Sequence, residues 1–194
     1  MRNVLAAVGL MNRSATISRE TKETCIKLSL DIDGGGVEDI RCEESFFTHM
    51  LETLGRYSGM DIELRAKGDN VHHLIEDVGI VLGHALREAM DETPVQRMSS
   101  QTVAMDDALV SVTADLADRP YVDIDCPDNL YQHFLRSFAM ASGMTLHVMV
   151  LRGFDEHHTI EATFKALGLC LHDALQIRED ELSTKGRVRR SKEC

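Results

Sequence analysis

Apolar residues alternate from Thr24 to Ile32, with Ile26, Leu28, Leu30 and Ile32 on one side, which predicts a half-buried strand. Gly34-Gly35-Gly36 then turns the chain into a second strand, Val37 to Cys42. Ser45 to Tyr57 reads as a helix, with Phe46, Phe47, Met50, Leu51 and Leu54 on one side and His49 among them. Alternation resumes from Met60 to Lys67 through Ile62, Leu64 and Ala66. Val71, Leu74, Ile75, Val78, Leu82 and Leu86 then fall at helical spacing, carrying a second helix to about Met90. The order is β-β-α-β-α.

After a polar connection over 91–100 that contains Pro94, the order repeats. Strands are predicted at Ala108 to Leu116 and Tyr121 to Asp125, a helix at Asn129 to Ala141, a strand at Met144 to Arg152, and a helix from Glu156 to Ile177. Short phrases match as well: Phe47-Thr48-His49-Met50-Leu51 against Tyr131-Gln132-His133-Phe134-Leu135. The pattern predicts an α+β fold made of two duplicated half-domains, 13–92 and 101–186, with helices packed on antiparallel sheets. Residues 1–12 and 187–194 read as extensions. From Ser183 onward the chain loses periodicity and turns basic, which by composition alone reads as a disordered tail.

With 194 residues and 43% hydrophobic content, such a fold can bury a real core. The net charge of −11 argues against nucleic acid or an anionic membrane as partner. An anionic small substrate would need a local cluster of Arg and Lys. Five scattered cysteines, none in a CxxC spacing, read as reduced thiols and exclude zinc fingers. No apolar run reaches the length of a membrane span. The start, MRNVLAAVGLM, has the look of a signal peptide but lacks a small-residue cleavage site, so a cytoplasmic protein is expected.

The candidate chemistry sits at the start of the last helix of each half. His72-His73-x-x-Glu76 and His157-His158-x-x-Glu161 are two copies of one motif in a chain with nine histidines. On a helix, residues i and i+4 share a face, so His72 lies over Glu76 and His157 over Glu161. The neighbours His73 and His158 are turned away by about 100°. One such motif alone is more often a solvated helix start. Two copies in equivalent positions favour two metal ions, with each helix giving a His/Glu pair to one ion and its second histidine to the other. A fourth ligand to each must come from elsewhere. The repeat favours His49 with His133, while strand geometry favours His147, and the residues alone leave that choice open. His84 and His172 lie about three turns beyond their motifs, too far to join. Three imidazoles and one carboxylate suit Mn, Zn, Fe or Ni better than Mg or Ca.

The chain resembles the imidazoleglycerol-phosphate dehydratases of histidine biosynthesis from about Arg13 to Gly186. The resemblance rests on Arg19-x-Thr21-x-Glu23-Thr24, His49-Met50-Leu51, His72-His73-x-x-Glu76-Asp77-Val78-Gly79-Ile80 and Met105-Asp106-Asp107-Ala108-Leu109. It continues in Asp118-Arg119-Pro120, Leu146-His147, His157-His158-x-Ile160-Glu161-Ala162-x-Phe164-Lys165 and Ser183-Thr184-Lys185-Gly186. Any one is weak; all of them in order are specific. The resemblance implies half-domains of the ribosomal protein S5 domain 2 type, with helices between two sheets. It also implies a homo-oligomer of trimers, a 24-subunit shell, whose active sites lie at subunit interfaces and hold two Mn2+ ions each. One ion would take His49, His73, His157 and Glu161; the other would take His72, Glu76, His147 and His158, making His133 a bystander. The substrate phosphate would lie on Arg97, Arg119, Ser183 and Lys185, which gives Ser183 to Lys185 a purpose. Glu23 would contact substrate and carry the proton.

Several positions depart from the family pattern. Thr48 stands for an aspartate, the loop Asp69-Asn70-Val71 is short, Asp155 replaces asparagine, and 123–129 is abbreviated. None removes an expected ligand. The implied reaction is dehydration of D-erythro-imidazole glycerol phosphate to imidazole acetol phosphate through an imidazolate held by two metals. The competing readings are a binuclear metallohydrolase and a cage protein whose ions only hold subunits together.

Overall fold

The computed structural model describes residues 13–90, 93–180 and 182. The first half contains β1 (Ser14–Glu20), β2 (Thr24–Asp31), β3 (Glu38–Arg41), α1 (Ser45–Ser58), β4 (Asp61–Gly68) and α2 (Val71–Met90). The second contains β5 (Met98–Met105), β6 (Ala108–Asp115), β7 (Tyr121–Ile124), α3 (Asn129–Ser142), β8 (Thr145–Arg152) and α4 (Glu156–Ala174). The predicted β-β-α-β-α order recurs in both halves, each preceded by one further strand. Helix α4 stops at Ala174, three residues short of the expected Ile177.

Each half forms its own four-stranded sheet, ordered β1-β2-β4-β3 and β5-β6-β8-β7. The sheets are mixed rather than antiparallel: β3 pairs parallel with β4, and β7 with β8. The cause is the crossover, because a strand, a helix and a returning strand can pair side by side only in the same direction. The four helices fill the space between the sheets, α1 and α2 on the first, α3 and α4 on the second, with α2 against α3 and α1 against α4. Phe47, Phe134 and Phe164 meet at the centre, with ring centroids 5.2 and 5.4 Å apart, so both halves share one core.

The duplication is also visible in how the helices touch. Gly83 lies eleven residues after His72, and Gly168 eleven after His157. A Cβ at Gly83 would meet Phe138 O at 2.6 Å; one at Gly168 would meet Tyr57 Cβ at 2.6 Å. Each glycine lets two helix backbones close up, and that closeness brings the start of α1 against α4 and the start of α3 against α2. Gly83→Ala gains about 1 kcal/mol of helix propensity but must push the Phe138 backbone away, at a cost of about 1–3 kcal/mol that outweighs the gain. The expected outcome is a lower urea midpoint with an unchanged m-value; a raised midpoint would show that the close approach is not needed.

Candidate active site

Helix starts carry the chemistry, and each start is fixed by a local cap. In α4, the Asp155 side chain accepts from the His157 N–H at 2.8 Å, so the departure from asparagine serves as an N-cap. In α2, Asn70 Oδ1 accepts from the His73 N–H at 2.9 Å. In α1, Glu44 caps the Phe47 N–H, and the Thr48 hydroxyl donates to Glu44 O at 2.8 Å. These caps hold the histidines in first turns, where their rings project into solvent from a rigid base.

Three predicted ligands converge within the chain. His49 Nε2 and His157 Nε2 each lie 3.5 Å from the same oxygen, Glu161 Oε2. Glu161 is buried, at 8% exposure, and Lys165 Nζ sits 2.9 Å from its other oxygen. Burial pushes the Glu161 carboxyl up, but Lys165 and His49 outweigh it and hold the group below the usual range. Two ring nitrogens on one buried, ionised carboxylate form a donor set suited to a divalent cation. Phe46 stacks on His157, with centroids 4.7 Å apart, and steadies that ring.

The second histidine of each motif has a carboxylate of its own. His158 Nδ1 lies 2.6 Å from Asp107 Oδ1, and Asp107 Oδ2 accepts the backbone N–H groups of Phe154 and Asp155. The His158 ring first, and then those two N–H donors, hold the Asp107 carboxyl far below its ordinary value, and Asp107 in turn raises His158. Asp107 closes a two-residue turn between β5 and β6, with Asp106 in the left-handed region at φ 47. His73 Nδ1 lies 2.8 Å from Asp69 Oδ1, which raises His73 in the same way. Donor atoms of Glu23, Asp69 and His73 all fall within 4.8 Å of one another. With Nδ1 engaged, each ring keeps Nε2 for a ligand, that of His158 lying 3.5 Å from Asp106 Oδ2. Sequence reasoning gave the histidines a role but quoted Asp107 and Asp69 only as parts of a motif and a loop. For Asp69 the i,i+4 spacing to His73 was a usable signal; Asp107 lies 51 residues from its partner.

The motif Arg19-x-Thr21-x-Glu23-Thr24 forms the β1–β2 turn and is fastened to α2. Thr21 Oγ1 accepts the Glu23 and Thr24 N–H groups, Thr24 donates to Asp77 Oδ2 at 2.5 Å, and Arg19 pairs with Asp77 Oδ1 at 3.2 Å. This turn sets Glu23 Oε2 3.7 Å from His73 Nδ1.

The remaining candidates lie apart. His72 Nδ1 is 3.9 Å from Glu76 Oε2, and the His133 ring is 5.0 Å from His72. His147 stands on the face of β8 turned away from the core, beside Asp123 and Tyr121. His172 donates to Ser58 O and serves the helix packing. Arg97 and Arg119 flank Asp115. Ser183 and Lys185 lie outside the described residues. A depression across all four strands of the first sheet, lined by Ser14, Thr16, Ser29, Asp39, Asp61 and Glu63, holds none of these groups, and its acidic rim does not suit a phosphate ester.

The model of the family described as imidazoleglycerol-phosphate dehydratase matches residues 42–171, which span α1 to α4 and every expected metal ligand. The chain belongs to the imidazoleglycerol-phosphate dehydratase family. The dehydratase of Dictyoglomus thermophilum is 42% identical, covering 91% of this chain and 99% of its own, and that of Thermoanaerobacter pseudethanolicus is 44% identical, covering 86% and 93%. Solved dehydratases share the fold. The Pyrococcus furiosus protein, in complex with (S)-C348, superposes with a TM-score of 0.79 at 36% identity, covering 89% of this chain and all of that one. The Staphylococcus aureus protein gives 0.77 at 29% identity, covering 85% and 99%.

Proposed function

We propose that this dehydratase acts on imidazole glycerol phosphate at a site taking two divalent ions, Mn2+ foremost, and completed by a second copy of the chain. Family membership makes it a carbon–oxygen hydro-lyase of histidine biosynthesis. The observation that carries the metal reading is the convergence of His49 and His157 on buried, ionised Glu161. His73 would complete that set, and His72, Glu76, His147 and His158 would form the other. Within one chain His73 lies with Glu23 and Asp69, and His147 faces outward on β8, so the two sets close only across subunits. Exposed apolar side chains beside these histidines support such contacts: Phe154 is 92% exposed, and Met149 and Leu151 share the outer face of β8 with His147. They fit assembly as trimers within a 24-subunit shell. Among the described residues no helix is long and apolar enough to cross a membrane, in keeping with a cytoplasmic enzyme.

The bound ions would supply Lewis acidity to the diazole ring of the substrate. Dehydration must remove hydroxide from the carbon next to the ring and a proton from its neighbour; the resulting enol keeps its hydroxyl on that neighbour and becomes the ketone of the product. Glu23, carried on a turn fastened to Asp77, would take that proton. Asp69 and Asp107 would orient His73 and His158. Arg119 and Lys185 would hold the phosphate and fix the substrate's distance from Glu23.

Turnover of imidazole glycerol phosphate before chelation, after it, and after Mn2+ is returned tests the reading. Activity should vanish and come back; full activity after complete chelation would overturn it. The pH dependence has a definite sign. His73 and His158 keep a proton to higher pH than free imidazole because of Asp69 and Asp107. An ion must displace those protons, so apparent metal affinity falls with decreasing pH by about tenfold per unit for each proton released. Calorimetry in two buffers of different ionisation enthalpy should register proton release on Mn2+ binding at pH 6, and none would mean that these rings are not ligands.

A further inference from the structure

Glu23 stands on a short turn with its side chain more than half exposed, so the backbone beneath it decides where its carboxylate lies. That backbone is held at two levels. Within the turn, Thr21 Oγ1 accepts the N–H groups of Glu23 at 3.1 Å and of Thr24 at 2.9 Å, and the Thr21 N–H returns to Thr24 O at 2.9 Å. Between the turn and α2 run two ties. The Glu23 carbonyl accepts from the Asp69 N–H at 2.9 Å, just before α2 begins. The Thr24 hydroxyl donates to Asp77 Oδ2 at 2.5 Å, in the second turn of α2.

Asp77 is a costly residue to place there. Its side chain is only 13% exposed, and Thr24 is buried. A carboxylate withdrawn from water is unfavourable unless it is hydrogen-bonded or paired. Here the Thr24 hydroxyl meets one oxygen, and Arg19 Nη2 lies 3.2 Å from the other. Both groups come from the strands that flank the turn, β1 and β2. Asp77 also stands four residues after His73, hence on the same face of α2. The tie therefore joins the turn that carries Glu23 to the helix face that carries His73.

We propose that Thr24 and Asp77 are positioning residues for the proton transfer: their hydrogen bond sets the place of the Glu23 carboxylate relative to the His73 face of α2, and so to the substrate bound there. This rests on the reading of Glu23 as the proton acceptor. A purely stabilising role has a different consequence. Loss of a hydrogen bond that only pins sheet to helix lowers the unfolding midpoint and leaves turnover of the folded protein unchanged. Loss of one that places Glu23 lowers kcat through Glu23, and so adds nothing once the Glu23 carboxylate is gone.

The test is a double-mutant cycle in steady-state kinetics on the Mn2+-loaded assembly, with imidazole glycerol phosphate as substrate and Thr24→Val, Glu23→Gln and the double variant beside wild type. Valine keeps the branched shape and removes the hydroxyl. Thr24→Val should lower kcat by about tenfold or more, since a misplacement of about 1 Å can cost about a hundredfold, with KM within about twofold and the bound ions retained. Thr24→Ser, which keeps the donor, should stay close to wild type. In the double variant kcat should match that of Glu23→Gln alone within about twofold. Wild-type kcat in Thr24→Val, a loss carried by KM alone or by departure of an ion, or the same loss repeated on top of Glu23→Gln overturns the positioning role and leaves Glu23 standing as proton acceptor. Near-normal kcat in Glu23→Gln overturns the reading of Glu23 and the proposal with it. If Thr24→Val does not fold, Asp77→Ala removes the acceptor instead, and a folded variant with wild-type kcat overturns the proposal.

Discussion

Glu161→Gln should lower kcat/KM by roughly a thousandfold and remove one of the two ions from each chain. Glu161 is the one buried member of the converging set, and its two oxygens are divided between the ring nitrogens of His49 and His157 and the ammonium of Lys165. The amide keeps the shape and loses the charge. Lys165, itself largely covered, then faces an incoming cation without a counter-charge. At a separation of about 4 Å and an effective dielectric of about 20, each unit of charge on the ion meets about 4 kcal/mol of repulsion, so a divalent ion loses at least about three decades in affinity. Metal analysis beside kinetics checks it, with circular dichroism to show that α4 persists. A folded variant that keeps both ions and more than a tenth of its activity would remove Glu161 from the metal site.

Glu23→Gln should behave differently: both ions and the assembly remain, while kcat falls by about two to four orders of magnitude. The turn that carries Glu23 is fixed by Thr21, by Thr24 on Asp77 and by Arg19 on Asp77, none of which uses the Glu23 carboxylate. The substitution therefore removes a proton acceptor without moving the backbone. Glu23 also lies close enough to Asp69 and His73 to ligate an ion, so metal content decides between the roles. Loss of one ion would make Glu23 a ligand, and near-normal kcat would leave it with neither role.

Much of this arrangement is legible in the chain because apolar spacing reports burial directly. The inner strands β2, β4, β6 and β8 and all four helices follow from it, since each buries a regular face. The strands β1 and β5 escape that reading. They are edge strands, paired on one side only, and in β1 only Ala15 is fully buried while β5 buries none of its residues fully. The i,i+4 rule correctly anticipates the His157/Glu161 and His72/Glu76 pairs. The approach of His49 to Glu161 is foreshadowed by the repeat and made possible by the small Gly168 between α1 and α4.

What spacing cannot supply is partnership across long separations. Asp107 reaches His158 because β5 and β6 fold a hairpin beside the start of α4, and Asp115 reaches Arg97 because β5 and β6 run side by side. Both depend on sheet register, which no local pattern encodes. The separation of His147 from His72 is likewise a matter of layers: one lies on the outer face of a sheet, the other at the start of a helix on the opposite sheet. The same separation is the reason for proposing that a second copy completes the site.

The most direct measurement titrates metal-free protein with Mn2+ while bound ions per chain and turnover are followed together. The account predicts saturation at two ions per chain, with full turnover reached only as the second is taken up. Full turnover at one ion per chain, or in the metal-free protein, would contradict it.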